Sequence, residues 1–169
     1  MTISFIVFVV FTYAMFMAAY KDATTMTIPN WISVMLFLSF LIVAPFVLDS
    51  WLVFGQHMAV GTSVFLFGFF MFAMGWLGGG DAKLMAASAF WWQWPDLLFY
   101  VVWVTISGGI IAGLILWGRK FIPSQVLATD WMHKMVKTQD DMPYGLALAF
   151  GGVLTLLNSE FFKAAALLS

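Results

Sequence analysis

Leu84-Met85-Ala86-Ala87-Ser88-Ala89-Phe90-Trp91-Trp92-Gln93-Trp94 carries no charge, yet it has only 11 residues. A membrane-crossing helix needs about 20 apolar residues at a rise of about 1.5 Å each. A run this short reads by default as a buried or re-entrant segment, so its crossing has to be argued from charge rather than hydropathy. Around it, residues 3–20, 31–48, 58–77 and 97–117 are uncharged and long, and 143–157 is a fifth, shorter run.

Short loops rich in Lys and Arg stay on the cytoplasmic side. If 84–94 crosses, the first, third and fifth loops share a side and hold Lys21, Lys83, Arg119, Lys120, Lys134 and Lys137, six of the seven basic residues. If it does not cross, Lys21 and Lys83 join Lys163 and the other four lie opposite. The bias predicts an all-α, polytopic membrane helix bundle of six transmembrane helices with both termini outside. No basic residue precedes the first run, so it reads as a retained helix rather than a cleaved signal peptide. No Pro/Gly/Ser-rich linker or repeat divides the chain, which predicts one domain over 1–169.

Composition agrees with this class. Of 169 residues, 63% are hydrophobic and 9% charged, against roughly a quarter charged in soluble domains. A net charge of −1 gives no case for a nucleic-acid partner. The absence of cysteine excludes disulfides, thiolate metal sites and a cysteine nucleophile.

Other features have structural readings. Trp31, Trp76 and Trp117 fall near expected inner ends and Trp51, Trp92 and Trp94 near outer ends, where indoles favour the interface. Residues 65–72, rich in Phe, read as lipid-facing or packing. Gly61, Gly68 and Gly75 recur every seven residues, and Gly109 and Gly113 form a small-xxx-small pair; both patterns predict close helix packing. Residues 121–138, with Val126, Leu127, Trp131, Met135 and Val136 mostly at helical spacing, predict an amphipathic helix on the inner surface. Its basic residues would favour anionic headgroups. His133 and His57 read as solvated interfacial residues, since no second ligand stands at metal-site spacing. Glu160 and Lys163 permit either a continuing last helix or one lying on the outer surface.

Two carboxylates remain for chemistry. Asp22 follows the first run in Tyr20-Lys21-Asp22-Ala23-Thr24-Thr25-Met26-Thr27-Ile28-Pro29-Asn30, and Asp81 follows Gly78-Gly79-Gly80. In the six-crossing layout both lie at cytoplasmic helix ends. Asp81 has an alternative as a helix N-cap. Asp22 has alternatives as a solvated loop residue or a partner of Lys21, because a carboxylate at a helix C-terminus meets the negative end of the dipole. Brought together, two such acids share a proton and can act as base and acid on a peptide bond without a metal. Glycines before Asp81 leave room for unusual backbone and an extended substrate.

Gly78-Gly79-Gly80-Asp81 with Ala82-Lys83-Leu84, Asp22 with downstream Ile28-Pro29-Asn30, and Met142-Pro143-Tyr144-Gly145 resemble the motifs of the GxGD-type intramembrane aspartic proteases, and within them the prepilin peptidases. The resemblance covers the chain in order and topology. It implies a catalytic pair Asp22 and Asp81, a loop shaped by Gly78, Gly79 and Gly80, and substrate positioning by Lys83, Pro29, Asn30, Pro143, Tyr144 and Gly145, with no metal or other cofactor. Larger relatives carry a zinc-binding cytoplasmic insert with paired cysteines and also N-methylate the new terminus. This chain has neither and looks like the short peptidases of tight-adherence (Flp-type) pilus systems, which argues against methyltransferase activity. The implied role is removal of the cytoplasmic leader of prepilins and pseudopilins at the bacterial inner membrane, in the lipid bilayer and near the pilus assembly machinery. From the residues alone, a small ion- or proton-coupled transporter and a non-catalytic subunit of a secretion apparatus stay open.

Overall fold

A computed structural model describes residues 3–121 and 142–168, which form helices and no strand. In chain order these are α1 (Ile3–Thr25), α2 (Asn30–Val47), α3 (Trp51–Ala73), α4 (Gly79–Ala89), α5 (Trp94–Phe121), α6 (Tyr144–Asn158) and α7 (Glu160–Leu167). α1, α2, α3 and α5, the last over Trp94–Gly118, are long and apolar enough to cross a membrane. α6 and α7 meet at 46° and together form a fifth candidate span. These helices make the chain a multi-pass membrane protein. Apart from Phe121, which ends α5, the expected surface helix over 121–138 lies outside the described residues, His133 included.

The segment 84–94 is not one helix. α4 begins at Gly79, ahead of the apolar run, and ends at Ala89; a turn through Phe90–Gln93 leads into α5. α4 packs chiefly along α3, antiparallel to it. A Cβ on Gly79 would lie 3.1 Å from the Phe72 ring, one on Gly68 3.4 Å from the Ala82 carbonyl oxygen, and one on Gly61 2.3 Å from the Phe90 ring. Gly61 and Gly68 thus let α4 approach, as their spacing predicts. Gly75 does not join them. It lies past the end of α3 with φ +73° and open space around it, so it serves the turn.

The α5 pair also departs from expectation. Nothing lies within 4 Å of a Cβ built on Gly109 or Gly113, whereas one on Gly151 would meet the Val104 backbone nitrogen at 2.8 Å. The close α5–α6 approach is therefore made by the glycine of α6. Ser107 Oγ also reaches across to the Ala147 carbonyl, at 3.3 Å.

Beyond the end of α4 the bundle is filled by rings. Trp91 and Trp92 are wholly buried, so Trp92 is a core residue and not an interfacial one. Trp91 stacks edge-on to Phe11, Phe40 and Phe161 and donates its indole N–H to the Leu36 carbonyl at 3.2 Å. Phe161 comes from α7, which folds back because Ser159 closes α6 and its hydroxyl accepts the Phe162 N–H. His57 is likewise buried rather than solvated. Phe40 and Phe161 cover its ring, and Nδ1 lies 3.0 Å from the Phe90 carbonyl. On the outside, Phe65, Phe67, Phe69, Phe70 and Phe72 of α3 are exposed, as lipid-facing residues are. Glu160 and Lys163 form a surface ion pair at 2.8 Å.

Thermal unfolding in detergent should separate the two kinds of glycine. Gly151→Ala should cost about 1–3 kcal/mol through overpacking. Gly109→Ala should be neutral or stabilise by up to about 1 kcal/mol through helix propensity.

Candidate active site

Three helix ends converge at the level of the two aspartates. α1 stops at Thr25 because Met26 adopts a left-handed conformation (φ +52°) and returns its N–H to the Asp22 carbonyl at 2.8 Å. The Thr24 and Thr25 hydroxyls bond the Tyr20 and Lys21 carbonyls, both at 2.7 Å, which secures that last turn. Asp22 is therefore a helical residue, and it is buried. Its Oδ2 accepts the backbone N–H of Gly145 at 2.7 Å, from the first turn of α6. It is neither a solvated loop residue nor simply a partner of Lys21.

Asp81 stands in the first turn of α4, ahead of the apolar run. Gly78, not Asp81, is the N-cap, and no side chain caps it. A Cβ on Gly78 would lie 2.8 Å from Asp81 Oδ2, so only glycine leaves that oxygen its place. A Cβ on Gly80 would press on Ile28, at 3.1 Å from its Cβ, so this glycine seats α4 against the segment leading into α2. Among the described residues, Asp81 Oδ1 is buried without a hydrogen-bond partner. Burial, reinforced by the charge of Asp22, pushes the Asp81 carboxyl up to about 7.

Both aspartates line one pocket of about 310 Å³, with Met26, Gly75, Trp76, Leu77, Gly78, Met142 and Tyr144 around them. Of the residues expected at the site, Asp22, Asp81, Gly78 and Tyr144 line this pocket, and Gly145 bonds Asp22 behind it. Pro143 is the N-cap of α6 and Pro29 that of α2. Lys83 and Asn30 bond each other at 3.0 Å and line a separate groove between α2, α3 and α4. Met26, Gly75, Trp76 and Leu77 were not singled out for the site from sequence. A glycine followed by Trp-Leu ahead of the Gly78 run is the one signal that could have marked the turn.

The arrangement joins an acid that accepts an N–H from a helix start to one that retains a proton near neutrality. Such a pair can hold a water and a carbonyl between a base and an acid. A family model described as the type IV leader peptidase family matches residues 9–113, a span that includes both aspartates and the three glycines. The chain belongs to the type IV leader peptidase family. Family membership makes it a peptidase with prepilins as substrates. Neither the curated proteins nor the solved structures gave a match. The match stops short of α6, so the Gly145–Asp22 bond adds a contact outside the matched span.

Leader peptidase activity should depend on that bond. A Cβ on Gly145 would lie 2.8 Å from both Asp22 Cβ and Oδ2. Gly145→Ala should lower prepilin processing at least about tenfold by displacing the carboxylate, while Gly113→Ala leaves processing unchanged. Gel-shift assays of prepilin cleavage in membranes would check both.

Proposed function

We propose that the chain is a membrane-embedded aspartic endopeptidase in which Asp22 and Asp81 are the catalytic pair. The observation that carries this reading is the unlike setting of two acids in one pocket: Asp22 accepts the Gly145 N–H, while Asp81 has a buried oxygen without a partner among the described residues. The N–H favours negative charge on Asp22. Asp22 then serves as base and Asp81 as acid. Asp22 takes a proton from water as the water oxygen adds to the scissile carbonyl carbon, and Asp81 gives its proton to the carbonyl oxygen. On collapse, a hydroxyl of the tetrahedral intermediate returns its proton to Asp81, Asp22 passes its proton to the leaving nitrogen, and the peptide bond breaks.

The substrates in this reading are Flp-type prepilins and pseudopilins, cut where a short cytoplasmic leader meets an apolar helix. The basic loops support an active site at the cytoplasmic face of the bacterial inner membrane, in one domain over 1–169 with six crossings and both termini outside. Gly78, Gly79 and Gly80 shape the Asp81 loop, and Pro143, Tyr144 and Gly145 position Asp22 and the substrate. Lys83, held by Asn30 beyond Pro29, supports the neighbouring rim. The chain has no cysteine for a zinc-binding insert, which supports a reading as leader peptidase without N-methylation of the product.

Co-expression with a Flp-type prepilin tests the pair: Asp22→Asn and Asp81→Asn should each abolish the size shift on an immunoblot. Processing by either variant at the wild-type rate would overturn the dyad and favour a transporter or non-catalytic role. The pH profile carries a sign. The Asp81 acid is protonated below about pH 7 and ionises above it, so the rate should fall with rising pH, by about tenfold per unit once past that value.

A further inference from the structure

The larger apolar groove of the bundle lies on the two helices that bear Asp22 and Gly145. α6 packs on α1 on one side and on α5 on the other, leaving between α1 and α5 a groove of about 540 Å³ floored by α6. It runs from Thr12 to Ala19 on α1 and from Leu146 to Val153 on α6, about 10 Å along each helix at 1.5 Å per residue. Ala19 lies one turn before Asp22, and Leu146 directly follows Gly145, whose N–H Asp22 accepts. The groove therefore ends within one helical turn of two residues that line the dyad pocket, Asp22 and Tyr144.

Its lining points to a helix as occupant. Helix interfaces in membranes are made close by small residues and joined by hydroxyls. Ala19 and Ala149 contribute small residues to this groove among larger apolar ones, and the substrate in the peptidase reading is itself an apolar helix. We propose that this α1–α5 groove receives the apolar membrane helix of the substrate, leading its cytoplasmic end past Ala19 and Leu146 to the aspartates. The proposal rests on the peptidase reading above and adds where the substrate lies.

The second large groove, between α2, α3 and α4, is the natural comparator. It is lined by Lys83, which stands two residues after Asp81 and so on another face of α4. A substrate helix there would have to cross α4 to reach the pocket.

Because the chain has no cysteine, single cysteines report position without background. Phe16→Cys and Val153→Cys place one in the α1–α5 groove, Val34→Cys and Phe65→Cys one in the α2–α4 groove, and Gly113→Cys one on the outer face of α5. Each is introduced into the Asp81→Asn chain and co-expressed with a Flp-type prepilin carrying one cysteine in its apolar segment. Disulfide cross-linking in isolated membranes should be at least about tenfold stronger at 16 and 153 than at 34, 65 and 113, and a cysteine-free prepilin in excess should suppress it. Equal labelling at all positions, preference for 34 and 65, cross-links only between copies of the enzyme, or no cross-link at all would each overturn the groove. Processing by the chain with Asp22 and Asp81 intact is followed in parallel. Cross-linking without processing would overturn the peptidase reading alone, and processing without selective cross-linking would overturn the groove alone.

Discussion

The shortness of α4 is the constraint on which the bundle depends. Eleven residues extend only about 16 Å as a helix, roughly half of a hydrocarbon core about 30 Å thick. A helix that short must be held by its neighbours, and its Ala-rich sequence allows them to come near. Gly61 and Gly68 of α3 admit it from one side, and Gly80 seats its first turn on Ile28. What α4 leaves unfilled is taken by Trp91, Trp92, Phe11, Phe40 and Phe161. The fold-back of α7 follows from the same need, since it delivers Phe161 to that space. Aromatic pairs of this kind contribute about 0.5–1.5 kcal/mol each beyond their burial, so the plug also anchors the end of the helix that carries Asp81.

Much of this was legible in the sequence. The uncharged runs anticipate α1, α2, α3 and α5, and the seven-residue step from Gly61 to Gly68 anticipates the approach of α4, because small residues at regular spacing leave a face on which only another helix can sit. The same step carried one residue too far. Gly75 continues the period, but the helix has already ended, and periodicity cannot register where a helix stops. Gly109 and Gly113 show the converse. A small-xxx-small pair permits close packing without requiring it, and the contact is made instead by Gly151. The burial of His57 and Trp92 departs from expectation because rings far along the chain cover them, Phe161 over His57 and Phe11 beside Trp92. Hydropathy ranks each residue by itself and is silent on which distant ring will cover it.

The site was legible in its chemistry and less so in its walls. Scarcity of charge singled out Asp22 and Asp81, and a side chain at Gly78 would displace the Asp81 carboxylate oxygen from its present place. Met26, Trp76 and Leu77 enter the pocket only through turns whose geometry is set after the helices pack. Met26 in particular occupies a left-handed conformation that non-glycine residues adopt at a cost of about 1–2 kcal/mol. Strain of that kind persists where the surroundings fix it, and here the last turn of α1 and the pocket wall meet at that residue.

The electrostatics of Asp22 tie these observations together. In the last turn of α1 it faces the negative end of that helix, an unfavourable position for a carboxylate by about 0.3–1 kcal/mol. The compensation comes from elsewhere in the chain. α6 presents its own first turn, where backbone N–H groups have no partner one helical turn back and the dipole is positive, and Gly145 delivers one of them to Oδ2 at 2.7 Å. A bond from an N–H to a carboxylate is roughly twice as strong as a neutral one, so it outweighs the unfavourable end of α1. It is also directional, and a side chain at position 145 would occupy the place of the acid itself. Asp81 lies at a helix start too, a setting that favours its charge, yet burial and the neighbouring acid hold its proton on to about pH 7. For Asp22 the helix end wins because it brings a hydrogen bond; for Asp81, whose Oδ1 has no bond among the described residues, desolvation wins. Burial and the neighbouring acid acting on Asp81, and a hydrogen bond from a helix start acting on Asp22, make two identical side chains chemically unlike.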